Sequence, residues 1–432
     1  MLKRIAIVVL GLLAVGFGGF AAFAWRPAIA PIDKPGAASF PADLVARGAT
    51  LAAGGYCSTC HTTRGGKPLA GGRAMVTGFG TLYSTNITPD PETGIGNWSE
   101  EAFRRAMHEG VARDGSHLFP AFPYDHFTKL SDADVQALYA FLMTQPAVSA
   151  PAKANELPFP LGIRALQAGW KLLFFKPGRF APNAAQDAEW NRGAYLAEGL
   201  SHCSACHTPR NMLGAEKRDA AYAGASIDNW FAPALTKANP SPAPWTGEEL
   251  SEYLITGLSR YHGTAAGPMA PVVHDGLARL SPNDQRAVVR YVESLGGGDA
   301  RAAQTAPAVA KAMAADRIGL GVAADKDARF YTAACASCHY NAGKQPNPLR
   351  PDLALNSALS LDDPSNFIHV LLYGIGAKEG APGIVMPGFS YFSDADVARM
   401  GAYLRRTRTS LPPWPDLEKK VAHVRAEGRG DF

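Results

Sequence analysis

Two cysteines three positions apart, followed at once by a histidine, occur three times in this chain, as Cys57, Cys60 and His61, then Cys203, Cys206 and His207, then Cys335, Cys338 and His339. Thiols at i and i+3 share one helical turn and can add to the two vinyl groups of a haem, while the histidine that follows binds the iron from the proximal side. A thioredoxin-like redox pair needs no further copies, and a zinc site needs two Cys-x-x-Cys units on one metal. An odd number of units, each with its own histidine, fits neither. The spacing therefore predicts three covalently attached haem c groups. The three copies use all 6 cysteines, so no thiol is left for a disulfide.

A low-spin electron carrier needs a second axial ligand, usually a methionine in the loop before the last helix, because thioether ligation raises the haem potential. Met386 in Val385-Met386-Pro387 stands ahead of Ser393, and Met269 in Gly267-Pro268-Met269-Ala270-Pro271 stands ahead of Ser281; both are expected to be axial ligands. Met143 and Met400 fall in terminal helices, Met313 in an Ala-rich connector, and Met212 too close to the second motif to reach across a ring. The first loop, His117-Leu118-Phe119-Pro120-Ala121-Phe122-Pro123-Tyr124-Asp125-His126, has Phe122 where Met-Pro is expected. Phenylalanine cannot bind iron, so His126 is expected to take over, giving bis-histidine ligation and a lower potential. His117, His108, Met107 and Met75 are the fallbacks, and a five-coordinate iron is the alternative. No catalytic side chains are expected. No Gly-rich nucleotide loop accompanies a βαβ pattern, and no Ser/His/Asp arrangement can be argued from spacing.

The elements that must position these residues repeat with them. Arg47-Gly48-Ala49-Thr50-Leu51-Ala52-Ala53-Gly54 precedes the first motif and Arg192-Gly193-Ala194-Tyr195-Leu196-Ala197-Glu198-Gly199 the second; the third has the shorter Arg329-Phe330-Tyr331-Thr332-Ala333-Ala334. Each reads as a short helix delivering its motif. Each region closes on a helix opened by Ser131, Ser281 or Ser393, with Asp134, Asp284 or Asp396 three places on as a capping-box-like signal, followed by apolar residues at helical spacing. Trp98-Ser99-Glu100-Glu101 and Trp245-Thr246-Gly247-Glu248-Glu249 open a further helix in the first two regions.

The 432 residues, 47% hydrophobic and 19% charged with Gly 44 and Pro 33, describe globular, loop-rich folding around large groups. A net charge of +4 is too mild to argue for nucleic acid. Met1-Leu2-Lys3-Arg4 is followed by an uncharged run from Ile5 to Trp25, long enough to cross a bilayer core. Ala22-Phe23-Ala24 offers a cleavage site, but the run exceeds a usual signal h-region and Trp25-Arg26 suits an interfacial anchor, so a retained anchor is favoured. Lys3 and Arg4 then stay cytoplasmic, and the rest of the chain lies outside the bacterial inner membrane, in the periplasm. The expected layout is an anchor at 1–30, haem domains at 40–148, 186–296 and 322–410, linkers at 151–185 and 297–321, and a tail at 411–432. Leu157-Pro158-Phe159-Pro160-Leu161 and Trp170-Lys171-Leu172-Leu173-Phe174-Phe175 in the first linker are expected to pack between domains, with membrane-surface contact as the sharper alternative. The second linker reads as flexible or weakly helical.

The order of helix, Cys-x-x-Cys-His, loops, sixth-ligand loop and terminal helix resembles the class I cytochrome c fold, which implies an all-α chain of three tandem domains behind a transmembrane helix. Tyr83-Ser84-Thr85-Asn86-Ile87-Thr88-Pro89-Asp90, Cys206-His207-Thr208-Pro209-Arg210-Asn211, Gly267-Pro268-Met269-Ala270 and Val272-Val273-His274 are similar to the cytochrome c subunit of bacterial membrane-bound dehydrogenases oxidising alcohol, gluconate, sorbitol, fructose or aldehyde. That resemblance implies a subunit that takes electrons from a catalytic partner, sometimes with a small third subunit, and passes them to ubiquinone. Phe122 departs from the methionine of the alcohol and gluconate branch. Phe122-Pro123-Tyr124-Asp125-His126-Phe127-Thr128 and Pro412-Pro413-Trp414-Pro415-Asp416-Leu417 look more like cytochromes paired with molybdenum hydroxylases acting on aldehydes or N-heterocycles. A flavin or pyrroloquinoline quinone partner is the runner-up. A multihaem peroxidase with an open first iron is the rival class, and a relay subunit for a terminal oxidase or nitrite reductase the third.

Overall fold

A computed structural model describes residues 1–318, 325–341, 345–380 and 383–430. The end of the expected second linker, the first residues of the expected third domain (322–324) and the last two residues of the tail lie outside that description. The chain divides into two units, Met1–Pro182 with Glu198–His202, and Asn183–Ala197 with Cys203–Phe432.

In both units, pairs of helices bring the ends of each motif region together. The helix Ala42–Gly54 crosses Asp132–Met143, Ala188–Tyr195 crosses Pro282–Gly296, and Lys326–Ala334 meets Asp394–Leu404. Ser131, Ser281 and Ser393 cap the closing helices as expected, each hydroxyl accepting the backbone N–H of Asp134 (3.1 Å), Asp284 (3.2 Å) or Asp396 (3.1 Å). The first two aspartates do something other than complete a capping box. Asp134 receives Arg47 at 2.7 Å and Asp284 receives Arg192 at 2.7 Å, so each carboxylate ties the closing helix to the delivering one. The third region uses the same tie with its charges exchanged, Arg399 on the closing helix meeting Asp327 at 2.7 Å.

Glycine decides how closely the first two pairs approach. A Cβ on Gly48 would stand 1.9 Å from the Ala137 carbonyl oxygen, and one on Gly193 1.9 Å from that of Ala287. Backbone thus packs on backbone beside each ion pair. Gly48 lies nine residues before Cys57 while Gly193 lies ten before Cys203, and the extra residue is absorbed where the second delivering helix widens into a π turn at Leu196–Leu200.

The second and third motifs lie in one unit, and the described part of the segment between them is helical. The Ala-rich stretch forms a helix, Thr305–Ile318, whose buried Ala312 and Met313 join Ala243, Ala354 and Leu355 in one apolar cluster. Of the two expectations for this connector, flexible or weakly helical, Thr305–Ile318 follows the helical one, through alanine's high helix propensity and a methionine that fills the gap. The Asn366 side chain adds a two-way bond to the Phe231 backbone (2.8 Å each way), and Trp230 stacks on His369 at 4.6 Å. The expected tail is likewise part of a core. Trp414 is buried against Phe367, its indole N–H donates to Leu361 O at 2.9 Å, and the helix Leu417–Glu427 buries Leu417, Val421 and Val424.

The first unit begins with the helix Leu2–Ala24, long and apolar enough to cross a membrane and with none of its most apolar stretch buried in the protein. The segment after it is fixed to the first motif region by Ile29 N to Arg113 O (2.8 Å) and Ile32 N to Asn97 O (3.0 Å). The first linker packs on this unit through the helix Leu166–Phe174, which leaves Leu172 and Leu173 exposed.

Candidate functional site

Each motif occupies a single helical turn. His207 N–H donates to Cys203 O at 3.1 Å and His339 N–H to Cys335 O at 3.0 Å, which brings both cysteines and the histidine onto one short helix. Tyr56 and His202, immediately before Cys57 and Cys203, take left-handed backbone angles (φ 37 and 34) that break the delivering helix and redirect the chain into the motif.

The three histidines share one orientation. Nδ1 of His61 lies 2.7 Å from Thr85 O, Nδ1 of His207 2.7 Å from Pro233 O, and Nδ1 of His339 3.0 Å from Pro351 O. A carbonyl can only accept, so Nδ1 carries the proton in all three. Nε2 is then the nitrogen with a lone pair, and among the described residues it makes no hydrogen bond. That is the arrangement of a metal-binding imidazole, whose outer N–H on a carbonyl fixes both tautomer and ring direction. Burial lowers the pKa of each ring, with the carbonyl bond acting in the opposite direction, so each is held neutral as ligation requires.

The approach of those carbonyls is also built. Gly71 (φ +75) donates to His61 O and Gly224 (φ +87) to His207 O, and a Cβ on Gly71 would stand 2.4 Å from the Thr85 carbonyl carbon. A two-stranded hairpin, Ala74–Thr77 with Gly80–Tyr83 in the first region and Ala225–Ile227 with Trp230–Ala232 in the second, then returns the chain to the histidine. Arg73 and Arg210 donate to Thr59 O (2.6 Å) and Ala205 O (2.9 Å), carbonyls between the paired cysteines. The carbonyl partners are not legible in the sequence as site residues, because a carbonyl belongs to every residue type. The Gly-bounded hairpin after each of the first two motifs is the available signal.

The leading thiols of the first and third motifs argue against redox-dithiol chemistry there. Burial, followed by the neighbouring Cys60, pushes the Cys57 thiol up to about 12, and burial followed by Cys338 pushes Cys335 up to about 11, whereas exchange-active cysteines have lowered values. Zinc fares no better. Among the described residues no cysteine pair gathers a third His, Cys or carboxylate donor within 4.8 Å. The donor set of two thiols and one oriented neutral imidazole per motif fits a haem c.

The expected sixth ligands lie on different supports. Met386 is half-buried and held by a reciprocal backbone pair with Ile375 (3.0 and 3.1 Å). Met269, expected in a non-helical loop, instead opens the one-turn helix Met269–Pro271. His126 is buried in the short helix Tyr124–Phe127, with Nδ1 2.9 Å from Glu198 O and Nε2 3.9 Å from the Asp125 carboxylate. Among the fallbacks, His117 has both nitrogens occupied, by Lys171 Nζ (3.0 Å) and Ala24 O (2.7 Å). Phe122 packs its ring 5.4 Å from that of Phe127.

Comparison with known proteins agrees with this chemistry. Residues 45–146 match the family described as cytochrome c, and residues 322–404 that of cbb3-type cytochrome c oxidase subunit III. The chain is 47% identical over 96% of its length to a nicotinate dehydrogenase subunit of Pseudomonas putida, of which it spans only 34%. It is 38% identical to the gluconate 2-dehydrogenase cytochrome c subunit of Pantoea cypripedii, covering 89% of this chain and 90% of that one. The fructose dehydrogenase cytochrome subunit of Gluconobacter japonicus is also 38% identical, over 82% of this chain and 76% of its own.

Proposed function

The chain belongs to the family of cytochrome c subunits of dehydrogenase complexes, carrying electrons on covalently bound haem c, and we propose that it does so with three haems in three tandem domains (40–148, 186–296 and 322–410). The observation that carries this reading is the common orientation of His61, His207 and His339, each with Nδ1 on a backbone carbonyl. Bound haem supplies one-electron chemistry. The protein supplies the thiols Cys57, Cys60, Cys203, Cys206, Cys335 and Cys338 for attachment and the three neutral imidazoles as proximal ligands. Met269 and Met386 would serve as sixth ligands in the second and third domains, and His126 in the first, where its Nδ1 lies on a carbonyl as in the proximal rings while its Nε2 lies 3.9 Å from the Asp125 carboxylate.

The partner is the catalytic subunit of a dehydrogenase. A molybdenum enzyme oxidising an N-heterocycle or aldehyde is favoured by the 47% identity to a relative named for nicotinate, itself an N-heterocycle. The fructose and gluconate relatives keep a flavin or pyrroloquinoline quinone partner as the second reading. With Leu2–Ala24 in the inner membrane and the remainder in the periplasm, the subunit delivers electrons to ubiquinone.

Mass spectrometry of the protein matured in a competent periplasm tests the count. Three haem additions per chain are expected, and two or fewer would overturn it. Metal and cofactor analysis of the native complex tests the partner, with molybdenum expected.

A further inference from the structure

The helix Leu166–Phe174 is turned inside out for a surface in contact with water. Its one charged side chain, Lys171, is 8% exposed, while Leu172 and Leu173 are 70% and 68% exposed and Leu166 39%. The turn ahead of it adds Phe159 at 90% and Ile163 at 45%. Lys171 faces inward because three acceptors wait for it, Glu109 O at 2.6 Å, Gly110 O at 2.7 Å and His117 Nδ1 at 3.0 Å. With Nδ1 accepting, His117 carries its proton on Nε2 and donates it to Ala24 O at 2.7 Å, the last residue of the N-terminal helix. Trp170 and Phe175 complete the inner face against the ring of Tyr124, at 6.2 and 5.2 Å.

The leucine face is continuous with the N-terminal helix. A Cβ on Gly169 would stand 3.7 Å from the Phe20 ring, so the two helices touch just before Ala24. Twenty-three residues at ~1.5 Å each make that helix about 35 Å long, slightly more than a hydrocarbon core of ~30 Å. With Lys3 and Arg4 at one interface, Phe20 to Trp25 reach the other, and Gly169 is held at that depth. The exposed Lys176 follows the helix, where a cationic side chain meets lipid phosphates, while Arg164 ahead of it is turned to the protein and donates to His117 O at 3.2 Å.

We propose that the segment from Phe159 to Phe175 is a second membrane contact, lying in the plane of the outer leaflet with Leu166, Leu172 and Leu173 among the acyl chains. It rests on the reading of Leu2–Ala24 as a membrane anchor. The exposed leucines, the touching anchor and the exposed Lys176 at the end of the helix are together the features of an interfacial helix. The buried lysine and His117 fasten that helix to the first motif region, so the region is held against the lipid surface at two points.

The test uses the full, haem-loaded chain in vesicles of phosphatidylethanolamine and phosphatidylglycerol containing a diazirine phospholipid, with labelled peptides identified by mass spectrometry. Label is expected in residues 2–24 and again within 159–175. The variant Leu172→Gln/Leu173→Gln, at exposed positions, should lose the second label several-fold and keep the first. Label confined to 2–24, or unchanged in the variant, overturns the inference. Label in neither segment overturns the anchor reading on which it depends.

Discussion

Replacing Gly48 with alanine asks whether the first helix pair is as close as its geometry requires. The new Cβ would stand 1.9 Å from Ala137 O, 2.7 Å from Ala137 C and 2.7 Å from Phe141 Cβ. Two of these atoms are backbone, so no rotamer relieves the overlap and the helices must separate. Overpacking of this kind costs roughly 1–3 kcal/mol, and the rigid neighbours put it toward the upper end. Alanine returns about 1 kcal/mol in helix propensity. Separation also stretches the 2.7 Å pair between Arg47 and the buried Asp134, of modest value because Arg47 is 53% exposed. The net loss is about 1–2 kcal/mol. Native-state hydrogen exchange of Asp132–Met143 should show roughly a five- to thirty-fold loss of protection, with Pro282–Gly296 in the same molecule as the internal control. Gly193→Ala should reverse the pattern, since its Cβ meets Ala287 O at 1.9 Å. Undiminished protection in Gly48→Ala would refute the close crossing.

Met386→Ala, Met269→Ala and His126→Ala should each open one iron and add one carbon monoxide-binding equivalent in the reduced protein; a variant that adds none removes its residue from the axial set. Lys171→Met leaves the Glu109 and Gly110 carbonyls and His117 Nδ1 without their donor, for a loss of about 1–3 kcal/mol per unsatisfied group, read as faster proteolysis in 158–175. Burial pushes His262 down to about 3 and His369 to about 4, so both stay neutral in the fold at pH values where the unfolded chain binds protons. Their contribution is complete above pH 6.5 and is lost as pH falls toward 3–4. Denaturation of the haem-loaded protein should therefore show stability falling below pH 6.5, and His262→Phe, which preserves the 3.7 Å stack on Trp245, should flatten part of that fall.

Features that act through side-chain identity at short range are legible in the sequence. Ser131, Ser281 and Ser393 cap their helices as read, because an N-cap is a local hydrogen bond three residues long. Asp134 and Asp284 read as capping partners because their true partners, Arg47 and Arg192, lie far away in sequence and become neighbours only once the helices cross. The Thr85, Pro233 and Pro351 carbonyls are invisible for a different reason, as they carry no side-chain signature. The packing of the Thr305–Ile318 helix and of the tail escapes a reading of composition because Ala312, Met313, Trp414 and Val421 have partners that composition alone cannot supply.

The third motif region performs the same positioning with fewer residues. The carbonyl that orients His339 lies 12 residues on, against 24 for His61 and 26 for His207, because no hairpin intervenes among the described residues. Where Gly48 and Gly193 permit backbone contact, Ala328 follows the ion-paired Asp327 and is itself buried, so this crossing has room for a methyl group. The closing helix of this region is also covered by the C-terminal segment. Trp414 and the helix Leu417–Glu427 fill that role, with the Leu417 side chain seated on Gly401 of the closing helix, where a Cβ would stand 2.7 Å from it. Trp414→Ala should loosen the third region alone, by about 3–5 kcal/mol for an aromatic removed from a core. The result to look for is lost exchange protection in Asp394–Leu404 with Asp132–Met143 unchanged; equal losses in both would show that the tail supports the whole chain.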